Sequence, residues 1–135
     1  MIDTNILLDY LCDRKPFADE AQTLFRLCEI KEVQGFISSL SITNIIHILC
    51  KELTINKTKE IFSKLQLLFN IVDLKVIDLQ RATQTSYKDF EDAIQEVTAQ
   101  RIGVNCLITR NKKNYKQSKV PVYTPTEFHS LIYND

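Results

Sequence analysis

Asp3, Asp89 and Asp92 are the carboxylates whose surroundings suit oxygen chemistry. Asp3 follows the apolar pair Met1-Ile2 and precedes the apolar segment Ile6-Leu7-Leu8. A strand running into a helix there projects its carboxylate over a sheet edge, while Thr4 or Asn5 can cap the helix. The ordinary alternative is that Asp3 is itself the helix N-cap. Asp89 and Asp92 stand three apart at the start of a helical pattern, on one face of a first turn, and Glu96 continues that face. First-turn acids also serve as dipole partners. Asp92 differs from a plain dipole partner in its neighbours, because Ala93, Val97 and Ala99 are suited to close packing. A carboxylate at the edge of a packed face is costly unless something compensates it, and a cation would do so. Mg²⁺ typically takes one or two carboxylates plus waters, a minimum that Asp3 and Asp92 together meet.

These residues need elements to carry them, and helical periodicity dominates the chain. Phe17, Ala21, Leu24, Phe25 and Cys28 predict a helix opened by Pro16 near its first turn. Ile42, Ile45, Ile46 and Leu49 mark a second helix, and Ile61, Phe62, Leu65, Leu68 and Phe69 a third. Asp89 to Arg101 reads as another, ended by Gly103. The last begins at Thr124-Pro125 with Glu127 as the partner of a capping box. Between the helices lie short apolar runs at residues 35–37, 71–72, 104–108 and 120–123, with Met1-Ile2 as the stub of a first strand. Runs this short between helices fit buried strands of a parallel sheet. So short a stub leads us to expect further native residues upstream of Met1. Sites in such sheets form at the carboxyl ends of strands. The residues there are Asp3-Thr4-Asn5, Ser38-Ser39 and Thr109-Arg110-Asn111, all polar.

The bulk numbers set bounds. The 135 residues fit a single domain spanning 1–135, with 44% hydrophobic and 25% charged residues. Seventeen basic residues balance 17 acidic ones, so bulk charge provides no general attraction to nucleic acid, and any polyanion site must be local. One basic stretch exists, Arg110, Lys112, Lys113, Lys116 and Lys119, with Arg14 and Lys15 as further candidates at a pocket rim. Beside a metal site such residues steer phosphate, while elsewhere they are a solvated loop. Tyr115, among the lysines, is expected to pack on the domain rather than stack a base. His47 reads as a hydrogen-bonded core or rim residue and His129 as a surface one. Cys12, Cys28, Cys50 and Cys106 form no CxxC pair, which excludes zinc-ribbon and redox motifs and leaves reduced core thiols. No run approaches a membrane span, and the expected location is the cytoplasm.

Taken together, the motifs resemble a known family. Ile2-Asp3-Thr4-Asn5-Ile6-Leu7-Leu8-Asp9 resembles the opening strand and helix of PIN domains, and residues 38–46, from Ser38-Ser39 to Ile45-Ile46, their second motif. Asp89-Phe90-Glu91-Asp92-Ala93 and the segment 108–115 resemble the third and fourth, and residues 122–128 the family's tail. The resemblance implies a three-layer α/β/α fold with a central parallel sheet of about four to five strands. It also implies an endoribonuclease using Mg²⁺ or Mn²⁺, as in toxins of bacterial toxin–antitoxin pairs. By that resemblance Asp3 and Asp92 are metal ligands and catalytic residues, and Asp89 is the residue to orient or deprotonate water. Asn44 stands where many members carry glutamate and Asn111 where many carry aspartate, and Asn114 replaces a further acid. An amide oxygen coordinates but carries no charge and cannot act as a base. Asn44 is therefore assigned to the metal and Asn111 to the catalytic set, with Thr109 steadying Asn111 or contacting phosphate.

The implied partners are RNA, an antitoxin protein and a second copy of the chain in a homodimer. RNA contacts fall to Thr109, Arg110, Lys112, Lys113 and Arg14. The rival reading is a catalytically weakened PIN-like module that binds RNA or protein. A third, a response-regulator-like pocket taking phosphate on Asp3, lacks the lysine expected after a late strand, since Arg110 follows Thr109.

Overall fold

In the computed structural model, which describes residues 1–49 and 54–134, the strand pairings are parallel. Strand β1 (Phe36–Ser38) pairs with β2 (Asn70–Val72), and β3 (Leu107–Ile108) with β4 (Val122–Tyr123). The Met1-Ile2 stub joins the two ladders. The Ile2 N–H donates to the Phe36 carbonyl at 2.9 Å, and Ile2 bridges Ile108 in parallel. The Asp3 N–H donates to the Ile108 carbonyl at 2.9 Å, and the Ile108 N–H to that of Met1 at 2.8 Å. The order across the sheet is thus β2, β1, stub, β3, β4, with Asp3 leaving the central position.

Helices α1 (Thr4–Leu11), α2 (Ala18–Glu29), α3 (Ser39–Leu49), α4 (Ile55–Leu68), α5 (Val76–Ala82), α6 (Phe90–Ile102) and α7 (Pro125–Tyr133) surround this sheet. Alternation along the strands divides the core. Ile2, Ile37 and Ile108 point to one side, packing with Leu24, Phe25, Leu65 and Phe69 of the α1, α2 and α4 layer. Met1 and Leu107 point to the other, where Ala99 of α6, Tyr115 and Val120 meet them. Helices α5 and α6 pack through Ala82, Ala93, Ile94 and Val97. This is a three-layer α/β/α arrangement.

Several local expectations hold. Gly103 ends α6 in the left-handed region at φ 70°, and Thr124 with Glu127 forms the capping box of α7. Others shift. Helix α2 starts at Ala18 with Phe17 as its cap, so Pro16 stands before the helix rather than in its first turn. The third strand covers only Leu107–Ile108, and β4 begins after Pro121, which has no N–H to donate and instead accepts from Leu107 at 2.8 Å. Helix α5 was not anticipated, because it is short and leaves Val76 and Ile77 exposed. It is held by buried Asp78, which accepts two hydrogen bonds from Arg101 of α6, at 2.8 and 2.9 Å.

The thiols also divide. Cys28 is buried and its pKa is pushed up to about 11 by that burial, but Cys12, at the end of α1, is exposed rather than in the core. Cys50 lies outside the described residues. No helix among the described residues is long and apolar enough to cross a membrane.

Candidate active site

The chain leaves the central strand position at Asp3, and Asp3 itself, not Thr4 or Asn5, caps the helix that follows. As the N-cap of α1 it accepts the Thr4 N–H on Oδ1 at 2.8 Å. Its Oδ2 accepts the Thr109 hydroxyl at 2.8 Å and the Tyr115 phenol at 3.1 Å. The side chain is 7% exposed, and this burial raises the carboxyl pKa above its ordinary value despite hydrogen bonds from Thr109, Thr4 and Tyr115 that oppose the shift.

Asp92 approaches from the first turn of α6. Its Oδ1 accepts the same Tyr115 phenol, also at 3.1 Å. Burial, then the charges of Asp3 and Asp89, push its carboxyl up to about 6. One phenol therefore joins two carboxylates that repel each other, from helices that start far apart in the chain.

Asp89 is the N-cap of α6 rather than a first-turn residue, and its Oδ1 accepts the N–H groups of Glu91 at 2.8 Å and Asp92 at 3.2 Å. Its influence on Asp92 is electrostatic. Thr109, fully buried, is the hub of the fourth motif. Besides donating to Asp3, it accepts the Asn111 N–H at 3.1 Å and the Asn5 amide at 3.4 Å. Asn111 is half-buried at the head of the 3₁₀ turn Lys112–Tyr115, and this turn swings Tyr115 into the site. Asn114 on the same turn is exposed. Asn44 lies half-buried on α3, one turn beyond Ser41.

Sequence reasoning missed the polar ring behind the carboxylates. The Thr4 hydroxyl donates to Ser41 at 2.8 Å, and the Gln95 amide donates to Ser41 at 2.7 Å. Ser41 is fully buried and Gln95 2% exposed. Spacing offered a signal for Gln95, three residues after Asp92 and so on its face. Glu96, expected to continue that face, turns away instead. It accepts from the Tyr87 phenol, the Lys119 N–H and the Gln100 amide on the far side of α6. Tyr115 was expected to pack on the domain, and its ring does so edge-on against Tyr87. Nothing in the spacing announced where its hydroxyl would land.

The basic residues divide as well. Arg110 does not face solvent as a steering group should. Its guanidinium forms a two-pronged pair with Asp9 at 2.7 and 3.1 Å and lies 4.0 Å over the Phe17 ring. Arg14 lies 3.9 Å from the same carboxylate. Lys112 pairs with Glu127 at 3.0 Å. Lys113 is exposed, and with Lys112 and Lys116 it lines a shallow hollow of about 400 Å³ beside Tyr115. His47 is exposed on α3 rather than in the core, and His129 is half-buried against Tyr133. A hollow of about 640 Å³ lies among α2, α4 and Tyr133, and contains neither Asp3 nor Asp92.

The donor set fits a hard divalent cation. It consists of oxygens, two of them carboxylates whose pKa values are raised first by burial and, for Asp92, then by the charges of Asp3 and Asp89, and hard divalent ions prefer such ligands. Two nearby buried amide oxygens, Asn5 Oδ1 and Gln95 Oε1, have no hydrogen-bond partner among the described residues. Among the described residues no three His, Cys, Asp or Glu side chains gather into a ligand cluster, so such an ion would keep much of its water.

Comparison with known proteins agrees with the fold. The PIN domain family model matches residues 1–113. Among solved structures, a chain of a toxin-antitoxin complex from Klebsiella pneumoniae superposes with a TM-score of 0.65 at 27% identity, over 92% of this chain and 95% of that one. No curated protein matches the sequence.

Proposed function

The chain belongs to the PIN domain family, and from that premise we propose that it is a metal-dependent endoribonuclease, the toxin of a toxin–antitoxin pair. The observation that carries the reading is the convergence of Asp3 and Asp92 on one phenol oxygen, at 3.1 Å each. Asp3 and Asp92 would hold Mg²⁺ or Mn²⁺, and Asn44 would contribute an amide oxygen. When bound, the ion supplies Lewis acidity at the scissile phosphate and a more acidic water. Asp89, whose Oδ1 is taken up by the helix cap, would use its Oδ2 to orient a water or take its proton as the water adds to phosphorus and the P–O ester bond breaks, the leaving oxygen taking a proton from solvent. Thr109 keeps the Asp3 carboxylate aimed, and Asn111 lines the same strand end.

For substrate, Lys113 is the exposed cation best set to meet an RNA phosphate, supported by Lys112. Arg14 and Arg110 act at the rim, Arg110 chiefly through its hold on Asp9. The Klebsiella relative lies in a toxin-antitoxin complex, which supports an antitoxin partner for this chain. Exposed Ile55 and Phe62, one heptad apart on α4, support a homodimer.

Among the described residues two carboxylates, Asp3 and Asp92, meet at the site, which favours one rival, a PIN-like module that binds RNA or protein without cleavage. The two are separated by incubating purified protein with single-stranded and structured RNA plus Mn²⁺. Wild type should cleave, and Asp92→Asn should lose about 100-fold or more, the scale on which removing one charge-stabilising group acts. Equal cleavage by the two proteins removes the assignment.

A further inference from the structure

The Tyr115 phenol occupies a position that a bridging cation would contest. It touches Asp3 Oδ2 and Asp92 Oδ1 at 3.1 Å each, and the residue is 2% exposed. A phenol has one proton, so it donates to one carboxylate at a time while its oxygen faces both. Around Asp3 little acceptor capacity remains. Oδ2 already accepts from Thr109 and Tyr115, and Oδ1 accepts the Thr4 N–H. The Thr4 N–H is backbone of α1, and the Thr109 hydroxyl stands on a fully buried residue directly after β3, whereas Tyr115 rides on a single 3₁₀ turn. Of these three donors it is the one that can yield.

We propose that Tyr115 is a positioning residue that holds Asp3 and Asp92 together before the cation arrives and gives up its hydrogen bond when the cation binds. The proposal rests on the metal-dependent reading above. The phenol acts as an internal competitor and sets cation affinity below what the two carboxylates alone would achieve. A hydrogen bond to a charged acceptor is stronger than a neutral one, so its loss on loading lowers affinity by about 10-fold or more.

Titration calorimetry with Mn²⁺ on wild type, Tyr115→Phe, Asp92→Asn and the double variant tests this. Tyr115→Phe should bind Mn²⁺ about 10-fold more tightly than wild type, and the gain should shrink in the Asp92→Asn background, where one of the two contacts loses its charge. Thermal melting provides a second readout, because a purely structural role would leave a difference in melting that Mn²⁺ does not close. Without cation Tyr115→Phe should melt below wild type, and with saturating Mn²⁺ the difference should close. If the variant does not fold without cation, recovery of the folded state on adding Mn²⁺ is the expected result, and failure to recover counts against the proposal. Unchanged or weaker Mn²⁺ binding by Tyr115→Phe, with wild type binding normally, overturns the role of Tyr115 alone. No Mn²⁺ uptake by wild type overturns the metal-dependent reading and this proposal with it.

Discussion

Asp9 and Arg110, 101 residues apart in the chain, form a two-pronged ion pair that ties the end of α1 to the strand end carrying Thr109. The Asp9 side chain is 1% exposed and that of Arg110 26% exposed. Since Arg110 follows Thr109 directly, the pair steadies the segment whose hydroxyl holds Asp3.

Breaking that pair from one side should be costly. Arg110→Ala leaves a buried carboxylate with Arg14 as its one remaining cationic partner among the described residues, at 3.9 Å, and should destabilise the protein by about 3 kcal/mol. Arg110→Lys keeps the charge but loses the planar fork and the stacking on Phe17, and should fall between. Urea denaturation measures both. A loss below about 0.5 kcal/mol for Arg110→Ala would return this arginine to the set of solvent-facing steering residues.

The raised pKa of Asp92 sets a pH dependence with a definite sign. Its ordinary value is 3.8, and in the fold burial, Asp3 and Asp89 push it up to about 6. The folded chain therefore binds this proton more tightly than the unfolded chain. The group's contribution to stability is favourable at low pH and is lost as pH rises from about 4 to about 6. Asp92→Asn mimics the protonated form, so without cation it should stabilise the protein by about 1 kcal/mol at pH 7.5, after allowance for solvent screening, and have little effect at pH 4. Chemical denaturation at the two pH values reads the difference. Mn²⁺ binding runs the opposite way, strengthening as pH rises through about 6, because the ion needs the ionised carboxylate. A flat profile between pH 5 and pH 7 would remove Asp92 as a ligand.

Thr109 should behave as an orienting hydroxyl. Thr109→Val keeps the shape but removes the donor to Asp3 and the acceptor for Asn111 and Asn5. The expected cost is about 1–3 kcal/mol in stability, the penalty for buried polar groups left unpaired. Mn²⁺ affinity should fall about 10-fold through misaimed Asp3, the scale of outer-shell partners at metal sites. Thr109→Ser should recover most of the affinity. If serine and valine behave alike, bulk rather than the hydroxyl is what the position requires.

Local sequence was enough for the alternation of short buried strands with amphipathic helices, and hence for the parallel sheet and its polar strand ends. The Gly103 stop and the Thr124–Glu127 box were equally legible, because caps depend on a few adjacent residues. The pairing of Asp3 with Asp92 was suggested by spacing and by the family pattern together. Helix α5 was not legible, because its anchor is Arg101 on another helix, not its own periodicity. Nor could spacing choose between Gln95 and Glu96. They are adjacent on α6, and which one faces Thr4 and Ser41 depends on how α6 rolls against the sheet. The same holds for Arg110, which looked like a steering cation until Asp9 met it across the fold, and for Tyr115, whose hydroxyl found two acids. Periodicity reports which face of an element is apolar. The partner a polar group meets is decided by how elements distant in sequence cross, and only the assembled tertiary structure contains that information.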